Sequence, residues 1–154
     1  VADLRLHKIG YVFQNINLLP DLSLLENVAL PLEAMGVRGA SAKRQASEQL
    51  ASVHIGHLEH RYPGEVSGGE RQRAAIARAV VGRRQFLLAD EPTGALDSET
   101  GASVMEAILA ICSTGVAALI GTHNPMVAAV ADRTVTVRDG RLDSGTAQPP
   151  ASAQ

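Results

Sequence analysis

Tryptophan is absent from this 154-residue chain, and aromatic side chains of any kind make up only 3% of it. Few rings are therefore available to stack on the bases of a nucleic acid. Cysteine is almost absent as well: Cys112 is the only one, so no disulfide can form within the chain. No apolar run approaches the ~20 residues that a membrane-spanning helix needs. The nearest candidate, residues 104–121, is interrupted by Glu106, Ser113 and Thr114.

The chain also lacks an excess of charge of either sign. Its 16 acidic and 14 basic residues leave a net charge of -2 and an isoelectric point near 6.2. This balance argues against broad electrostatic capture of nucleic acid or of an anionic membrane. What is present is ordinary for a globular protein, since 45% of the residues are hydrophobic and 19% are charged. A chain of this length is expected to form one compact domain with a buried core.

Short strand-like runs alternate with helical patterns along the chain. Residues 9–13 are β-prone, and residues 85–89 and 116–121 are apolar runs typical of strands buried on both faces of a sheet. Helical patterns separate these runs, which predicts an α/β fold with a parallel sheet covered by helices. The mainly helical stretch 18–82 is predicted to be an inserted subdomain. Residues 144–154 show no periodicity and are predicted to be disordered.

An acidic pair follows the second of these strands. The apolar residues 86–89 lead directly into Asp90 and Glu91, and ligands of α/β sheets bind at the carboxyl ends of the strands. We therefore expect Asp90 to hold Mg²⁺ through water and Glu91 to polarise an attacking water as a general base. Taken alone, the pair fits two exposed acids at a strand end almost equally well.

A glycine-rich turn precedes this strand by one short helix. The segment Ser67-Gly68-Gly69-Glu70 places two glycines at a helix N-terminus, where backbone N–H groups and the helix dipole favour an anion. Ser67 adds a hydroxyl donor. Alone, this would be a serine-capped helix after a glycine turn, which is a common structure. Together with the acidic pair, however, the run from Ser67 to Arg73 (SGGERQR) is similar to the signature motif of the ABC ATPases, which more often has glutamine at the position of Glu70.

Three further residues resemble motifs of that family and occur in the family's order. Gln14 resembles the Q-loop glutamine that reaches Mg²⁺ and the attacking water. Asp97 ends a run similar to the D-loop, which communicates across the ATPase dimer, and His123 resembles the switch histidine that contacts the γ-phosphate. The resemblance implies a P-loop NTPase (RecA-like) core that binds ATP and Mg²⁺. The site residues that it implies are Glu91 and His123 for catalysis, Asp90 and Gln14 for the metal, and Gln14, Ser67, Gly68, Gly69, Glu70 and Asp97 for the nucleotide.

The resemblance also divides the chain into four segments. Residues 1–17 correspond to an incomplete part of the core that carries the Q-loop strand. Residues 18–82 form the helical subdomain with the signature motif, and residues 83–143 form the remainder of the RecA-like core with the acidic pair, D-loop and switch histidine. Residues 144–154 are the tail that is predicted to be disordered.

The sequence around the motifs resembles one branch of the family. The runs IGYVFQ, which ends at Gln14, ENVALPL, which begins at Glu26, and TGALDS, which contains Asp97, are similar to ATPases of the lipoprotein-release and macrolide-export type. This resemblance implies three things about partners: a second ATPase domain paired head to tail, a transmembrane permease, and no nucleic acid. It implies a cytoplasmic chain held at the inner face of the cell membrane through that permease.

The phosphate-binding Walker A loop of the family has no counterpart in these 154 residues. Its pattern, Gly-x-x-x-x-Gly-Lys-Ser/Thr, needs a Gly-Lys pair, and the only lysines, Lys8 and Lys43, do not follow glycine. Because losing even one preorganised donor from a catalytic site costs about 10²–10³ in rate, we expect this chain to be a fragment of a transporter ATPase that cannot turn over ATP alone.

Two alternatives stay open at this point. The first is a catalytically degenerate partner that supplies only the signature segment (residues 67–70) to a nucleotide held by another subunit. The second is an ABC ATPase outside transport. A role in DNA maintenance would need long coiled-coil arms between Gln14 and Ser67, where the sequence has only a compact helical insert.

Overall fold

The computed structural model of the chain describes residues 7–148, with side-chain environments for residues 7–142. Three parallel strands form its main sheet, in the order β1-β2-β3: β1 (Ile9–Val12), β2 (Phe86–Asp90) and β3 (Ala117–Gly121). Each strand lies within one residue of its predicted position. The parallel pairing of all three confirms the predicted α/β class.

Four helices whose full extent lies within the described residues accompany this sheet, and three of them lie between β1 and β2. They fall inside the stretch predicted to be a helical insert, although the exact limits of that subdomain stay a prediction. Within the described residues, no helix is long and apolar enough to cross a membrane. The helices are α1 (Leu24–Ala34), α2 (Ala40–Ser52), α3 (Gly68–Val80) and α4 (Ser98–Ser113), with short 3₁₀ turns at Gly56–Leu58 and Pro63–Glu65.

The core lies between the helices and one face of the sheet. Val12 on β1 and Leu87 on β2 are buried on this face, together with Ile76 of α3 and Ile108 of α4. Strand β1 and helix α3 approach so closely that only glycine fits at position 10. A Cβ atom there would lie 1.9 Å from the backbone oxygen of Ala79, which is far inside van der Waals contact.

The opposite face of the same sheet carries large apolar side chains that remain exposed. Tyr11 and Phe13 project from β1 and its end, with their ring centroids 4.2 Å apart, and both are about half exposed. Leu119 of β3 is 70% exposed, so the prediction that residues 116–121 form a strand buried on both faces is wrong for the described structure. Strand β3 pairs only with β2, and an outer strand has fewer neighbours to cover it.

The chain divides into two compact units after Gly121, a boundary that the sequence did not predict. The second unit contains the short helix α5 (Pro125–Ala129) and an antiparallel hairpin of β4 (Thr134–Arg138) and β5 (Arg141–Gln148). The structure differs here from the predicted disordered tail, because residues 144–148 continue β5. The antiparallel pairing with β4 crosses a register shift between Thr134 and Thr136, and Gln148 at the end of this stretch pairs with Thr134 despite the weak strand propensity of residues 144–148. Residues 149–154 lie outside the described part.

Candidate functional site

The acidic pair lies at the carboxyl end of the central strand, as predicted. Asp90 is the last residue of β2 and is exposed, and Glu91 follows it half-buried. On the neighbouring strand, Val12 pairs with Ala89. Strand β1 ends there, and Gln14 follows two residues later in a bend beyond its carboxyl end. The structure therefore brings two acids and one amide, all expected from the sequence, to one edge of the sheet.

The backbone of Glu91 has an unusual conformation for a residue with a side chain. Its φ is +44°, in the left-handed region that disfavours a Cβ atom. The Glu91 N–H donates to the carbonyl oxygen of Gly121 at 2.8 Å, and the Glu91 carbonyl accepts from the N–H of Gly94 at 3.1 Å. These two bonds hold the strained turn in place. Such strained positions concentrate at functional sites, which agrees with a positioned general base.

The signature segment begins helix α3, and its serine and glutamate form a reciprocal cap. Ser67 is the N-cap residue, and its Oγ accepts from the Glu70 N–H at 3.3 Å. The Glu70 carboxylate accepts in return from the Ser67 N–H at 2.7 Å and from the Ser67 hydroxyl at 2.8 Å. The pKa of Glu70 lies below its usual value because the Ser67 N–H and then the Ser67 hydroxyl stabilise the charged form. The hydroxyl expected to donate to an anion thus donates to Glu70 in this structure.

The two glycines of this segment pack directly against the start of α4. A Cβ atom on Gly69 would lie 2.3 Å from Cγ2 of Thr100, and one on Gly68 would lie 3.4 Å from Cδ2 of Leu96. Asp97 caps α4, with its Oδ1 accepting from the Thr100 N–H at 3.0 Å. This cap also lowers the pKa of the exposed Asp97 carboxyl group, through hydrogen bonds from Thr100. In the chain as described, Asp97 therefore fixes the helix against which the signature glycines pack.

We expect Gly69→Ala to loosen the contact between α3 and α4. The added methyl group would overlap the Thr100 methyl group, and overpacking of this kind costs about 1–3 kcal/mol. The free energy of unfolding, measured by urea denaturation with far-UV circular dichroism, should fall accordingly. Thr100→Ser removes Cγ2 and keeps the capped backbone N–H, so the double variant should recover most of the loss. A double variant no more stable than Gly69→Ala would show that this contact does not restrict position 69.

His123 belongs to the second unit, where it is exposed just before helix α5. Its neighbour Asn124 caps that helix, with Oδ1 accepting from the Met126 N–H at 2.9 Å. The Asn124 N–H in turn donates to Oγ1 of Thr122 at 3.0 Å. The local turn is therefore well organised, and the switch role expected for His123 stays a prediction.

Sequence reasoning assigned no role to two residues that hold the segment after Gln14. Asn27 is fully buried on α1, and its side chain bonds the Leu19 N–H and the carbonyls of Leu19, Leu22 and Ser23 at 2.8–3.0 Å. From α3, the Arg78 guanidinium donates to the Asn17 carbonyl at 2.6 Å. Little in the sequence indicates these roles, although a side-chain amide on the apolar face of a helix generally forms hydrogen bonds when it is buried.

The side-chain oxygen atoms of Asp90 and Gln14 would fill only part of the coordination shell of a Mg²⁺ ion. Asp90 offers a carboxylate and Gln14 an amide oxygen, which are the ligand types that Mg²⁺ accepts. Among the described residues, no cluster of three or more histidine, cysteine or acidic side chains could hold a metal ion. The arrangement thus fits a cation that keeps most of its water or shares phosphate oxygens, and not a cation held by a complete protein cage.

A family model described as ABC transporter matches residues 2–94 of the chain. One curated relative is the lipoprotein-releasing system ATP-binding protein LolD 2 of Caulobacter vibrioides, which is 47% identical over 91% of this chain and 62% of its own length. The macrolide export ATP-binding/permease protein MacB of Neisseria gonorrhoeae is 41% identical over 97% of this chain and 23% of its own length. The chain therefore spans less than two thirds of either relative.

The fold also matches solved structures of the ATP-binding cassette MJ0796. One of them, a dimer in a post-hydrolysis state bound to ADP and Pi, superposes with a TM-score of 0.78 and 37% sequence identity, over 92% of this chain and 63% of that one. These matches confirm both the resemblance to the lipoprotein-release and macrolide-export branch and the fold class inferred from it.

Proposed function

This chain belongs to the ABC transporter family, and from that premise we propose that it forms part of an ATP-binding subunit that couples MgATP binding and hydrolysis to a membrane permease. One observation carries the proposal. Asp90 ends the central strand of a parallel sheet and Glu91 follows it, while Gln14 lies just beyond the carboxyl end of the adjacent parallel strand. This is the edge at which α/β proteins bind their ligands, and there Asp90 would serve as a metal ligand and Glu91 as a base.

Each residue at this edge has a distinct proposed role. Asp90 and Gln14 would hold Mg²⁺, which supplies charge neutralisation at the phosphates when it is bound. Glu91 would accept the proton of the attacking water, with its carboxylate aimed by the left-handed backbone turn. Glu91 is half-buried, and partial exclusion of water strengthens electrostatic interactions at such a site.

The signature segment has a different proposed partner, the nucleotide held by a second ATPase domain. Gly68 and Gly69 occupy the first two positions of α3, where N–H groups have no intrahelical carbonyl to bond and the helix dipole favours an anion. In the proposed head-to-tail dimer these groups face the phosphates across the interface. Asp97, which caps the adjoining helix, would transmit dimer closure towards Glu91, and His123 would contact the γ-phosphate.

The permease is the proposed membrane partner, with this chain at the cytoplasmic face of the membrane. The segment from Leu18 to Leu32 follows Gln14 and includes Leu19, whose side chain is 47% exposed. Asn27 holds the residues from Leu19 to Ser23 to α1, and Arg78 of α3 bonds the preceding Asn17, so a force applied by a permease to this part of the chain would reach both helices. MacB carries "ATP-binding/permease" in its name, and LolD 2 belongs to a "lipoprotein-releasing system".

A second candidate function rests on one specific observation. The signature segment is complete and well formed, whereas the 154 residues contain no Gly-Lys pair for a Walker A loop. A chain of this kind could donate its signature segment to another subunit's nucleotide without hydrolysing ATP itself.

ATP-dependent association with an intact LolD-type ATPase domain tests the nucleotide role of the signature segment. We expect binding to a hydrolysis-blocked partner to require MgATP, and Gly68→Asp to weaken it by about 100-fold or more, because a carboxylate would oppose the phosphates at close range. An acid in the first helical turn does not disfavour the helix itself. Gly64→Asp is the matched control, since a Cβ atom there meets nothing within 4 Å. Association that is independent of ATP, or equal in both variants, would refute the proposed role.

A further inference from the structure

Two serine–glutamate caps in this chain have nearly the same geometry and different surroundings. At the start of α1, the Glu26 carboxylate accepts from the Ser23 N–H and hydroxyl, both at 2.8 Å. At the start of α3, the Glu70 carboxylate accepts from the same groups of Ser67 at 2.7 and 2.8 Å. Only the second cap lies in the segment proposed to face a phosphate. The cap on α1 therefore serves as an internal comparison for the cap on α3.

The cap on α3 occupies every polar group that Ser67 could offer to a ligand. Its hydroxyl donates to Glu70, its Oγ accepts from the Glu70 N–H, and its own N–H is bonded to the Glu70 carboxylate. The two glycine N–H groups are then the donors that remain at this helix end. An arriving phosphate would meet those two donors and, at the same end of the helix, the Glu70 carboxylate that folds back onto Ser67.

The Glu70 carboxylate remains negatively charged at neutral pH, so it would repel a phosphate group. Hydrogen bonds from Ser67 lower the pKa of Glu70, and the positive charge of Arg73 lowers it further. One nitrogen of Arg73, Nη1, donates to Oγ of Ser103 at 2.7 Å, while the guanidinium keeps its charge. The side chain of Glu70 is only partly buried, so its repulsion of an anion should depend on salt.

We propose that Glu70 is a built-in competitor of the nucleotide phosphate, and that its carboxylate holds the Ser67 hydroxyl until a phosphate oxygen displaces it. This inference rests on the proposed function, because it assumes that the signature segment contacts a nucleotide held by a partner. It assigns Glu70 a tuning role: the carboxylate weakens the closed dimer and speeds its opening. Glutamine at this position would still accept from the Ser67 N–H, would carry no charge, and could donate to the phosphate.

The test compares Glu70→Gln with Glu26→Gln in the ATP-dependent association described above. We expect Glu70→Gln to lower the dissociation constant for the MgATP-bound partner about tenfold, from removal of one like charge at close range, mainly through slower dissociation. We expect Glu26→Gln to leave it unchanged. The advantage of Glu70→Gln should shrink as NaCl rises from about 0.05 M to about 0.5 M. A purely structural role of Glu70 would produce no such salt dependence.

The outcomes separate this inference from the function on which it rests. If the wild-type chain associates only with MgATP and Glu70→Gln binds no more tightly, the competitor role is refuted and the proposed function stands. The competitor role is also refuted if Glu70→Gln and Glu26→Gln tighten binding equally, because the change would then come from the altered helix cap and not from the charge near the phosphate. If neither the wild-type chain nor Glu70→Gln associates in an ATP-dependent manner, the proposed function is refuted. The inference is then refuted as well, because it depends on that function.

Discussion

When a polypeptide of these 154 residues is incubated alone with MgATP, phosphate is expected to be released no faster than from MgATP in buffer without protein. Asp90 and Glu91 are in place at the sheet edge, but the polypeptide has no Gly-Lys pair, and a base acts only on a substrate that is held beside it. Each missing preorganised donor costs about 10²–10³ in rate, so the loss of a whole phosphate loop should abolish detectable turnover. Phosphate release against time is the measurement, with a LolD-type ATPase assayed in parallel.

Glu91→Gln separates true turnover from contamination. Any phosphate release by the wild-type polypeptide that persists in this variant comes from another enzyme. Release that disappears in Glu91→Gln would contradict the prediction, since it would show that the polypeptide holds MgATP without a Walker A loop. The degenerate-partner candidate would be refuted by the same result.

Gly10→Ala is expected to cause the largest loss of stability from a single methyl group in this chain. The new Cβ atom would lie 1.9 Å from the oxygen and 2.6 Å from the carbon of the Ala79 carbonyl group. Both are backbone atoms of α3, so no side-chain rotation can relieve the overlap, and β1 must separate from the helix. We expect the free energy of unfolding to fall by about 3 kcal/mol or more. Urea denaturation followed by far-UV circular dichroism gives this quantity.

Gly64→Ala is the matched control for this substitution. A Cβ atom at position 64 meets nothing within 4 Å, so alanine there should be neutral or should stabilise the chain by about 0.5 kcal/mol through the unfolded state. Equal urea midpoints for Gly10→Ala and Gly64→Ala would show that β1 does not pack on α3 as described. Because Gln14 follows β1, Gly10→Ala should also displace this residue from the sheet edge.

Several parts of the site could be predicted because their signals are local. A short apolar run followed by Asp90 and Glu91 indicates a strand that ends in two acids, and this position alone places them at the binding edge of a parallel sheet. Asp97 precedes an apolar helical pattern, a position at which aspartate commonly caps a helix, and it caps α4. The order of the motifs identified the family without any knowledge of the contacts between them.

Other features depended on contacts between distant segments, and the sequence offered little sign of them. The overlap that confines position 10 to glycine involves Ala79, nearly 70 residues later. Asn27 was read only as part of a family-like run, although its buried amide holds the backbone of residues 19–23. Residues 144–148 have weak strand propensity, yet they belong to β5, whose last residue Gln148 pairs with Thr134 of β4.

The sequence by itself determined the family, the order of strands and helices, and the identity of the acidic pair and the signature segment, because each of these is set by residues close together in the chain. Only the tertiary structure decided which distant groups the signature segment contacts. It placed Gly69 against Thr100 and Arg73 against Ser103. The physical reason is that a motif fixes which groups are available, whereas hydrogen-bond partners and close contacts depend on which other groups the fold brings within reach.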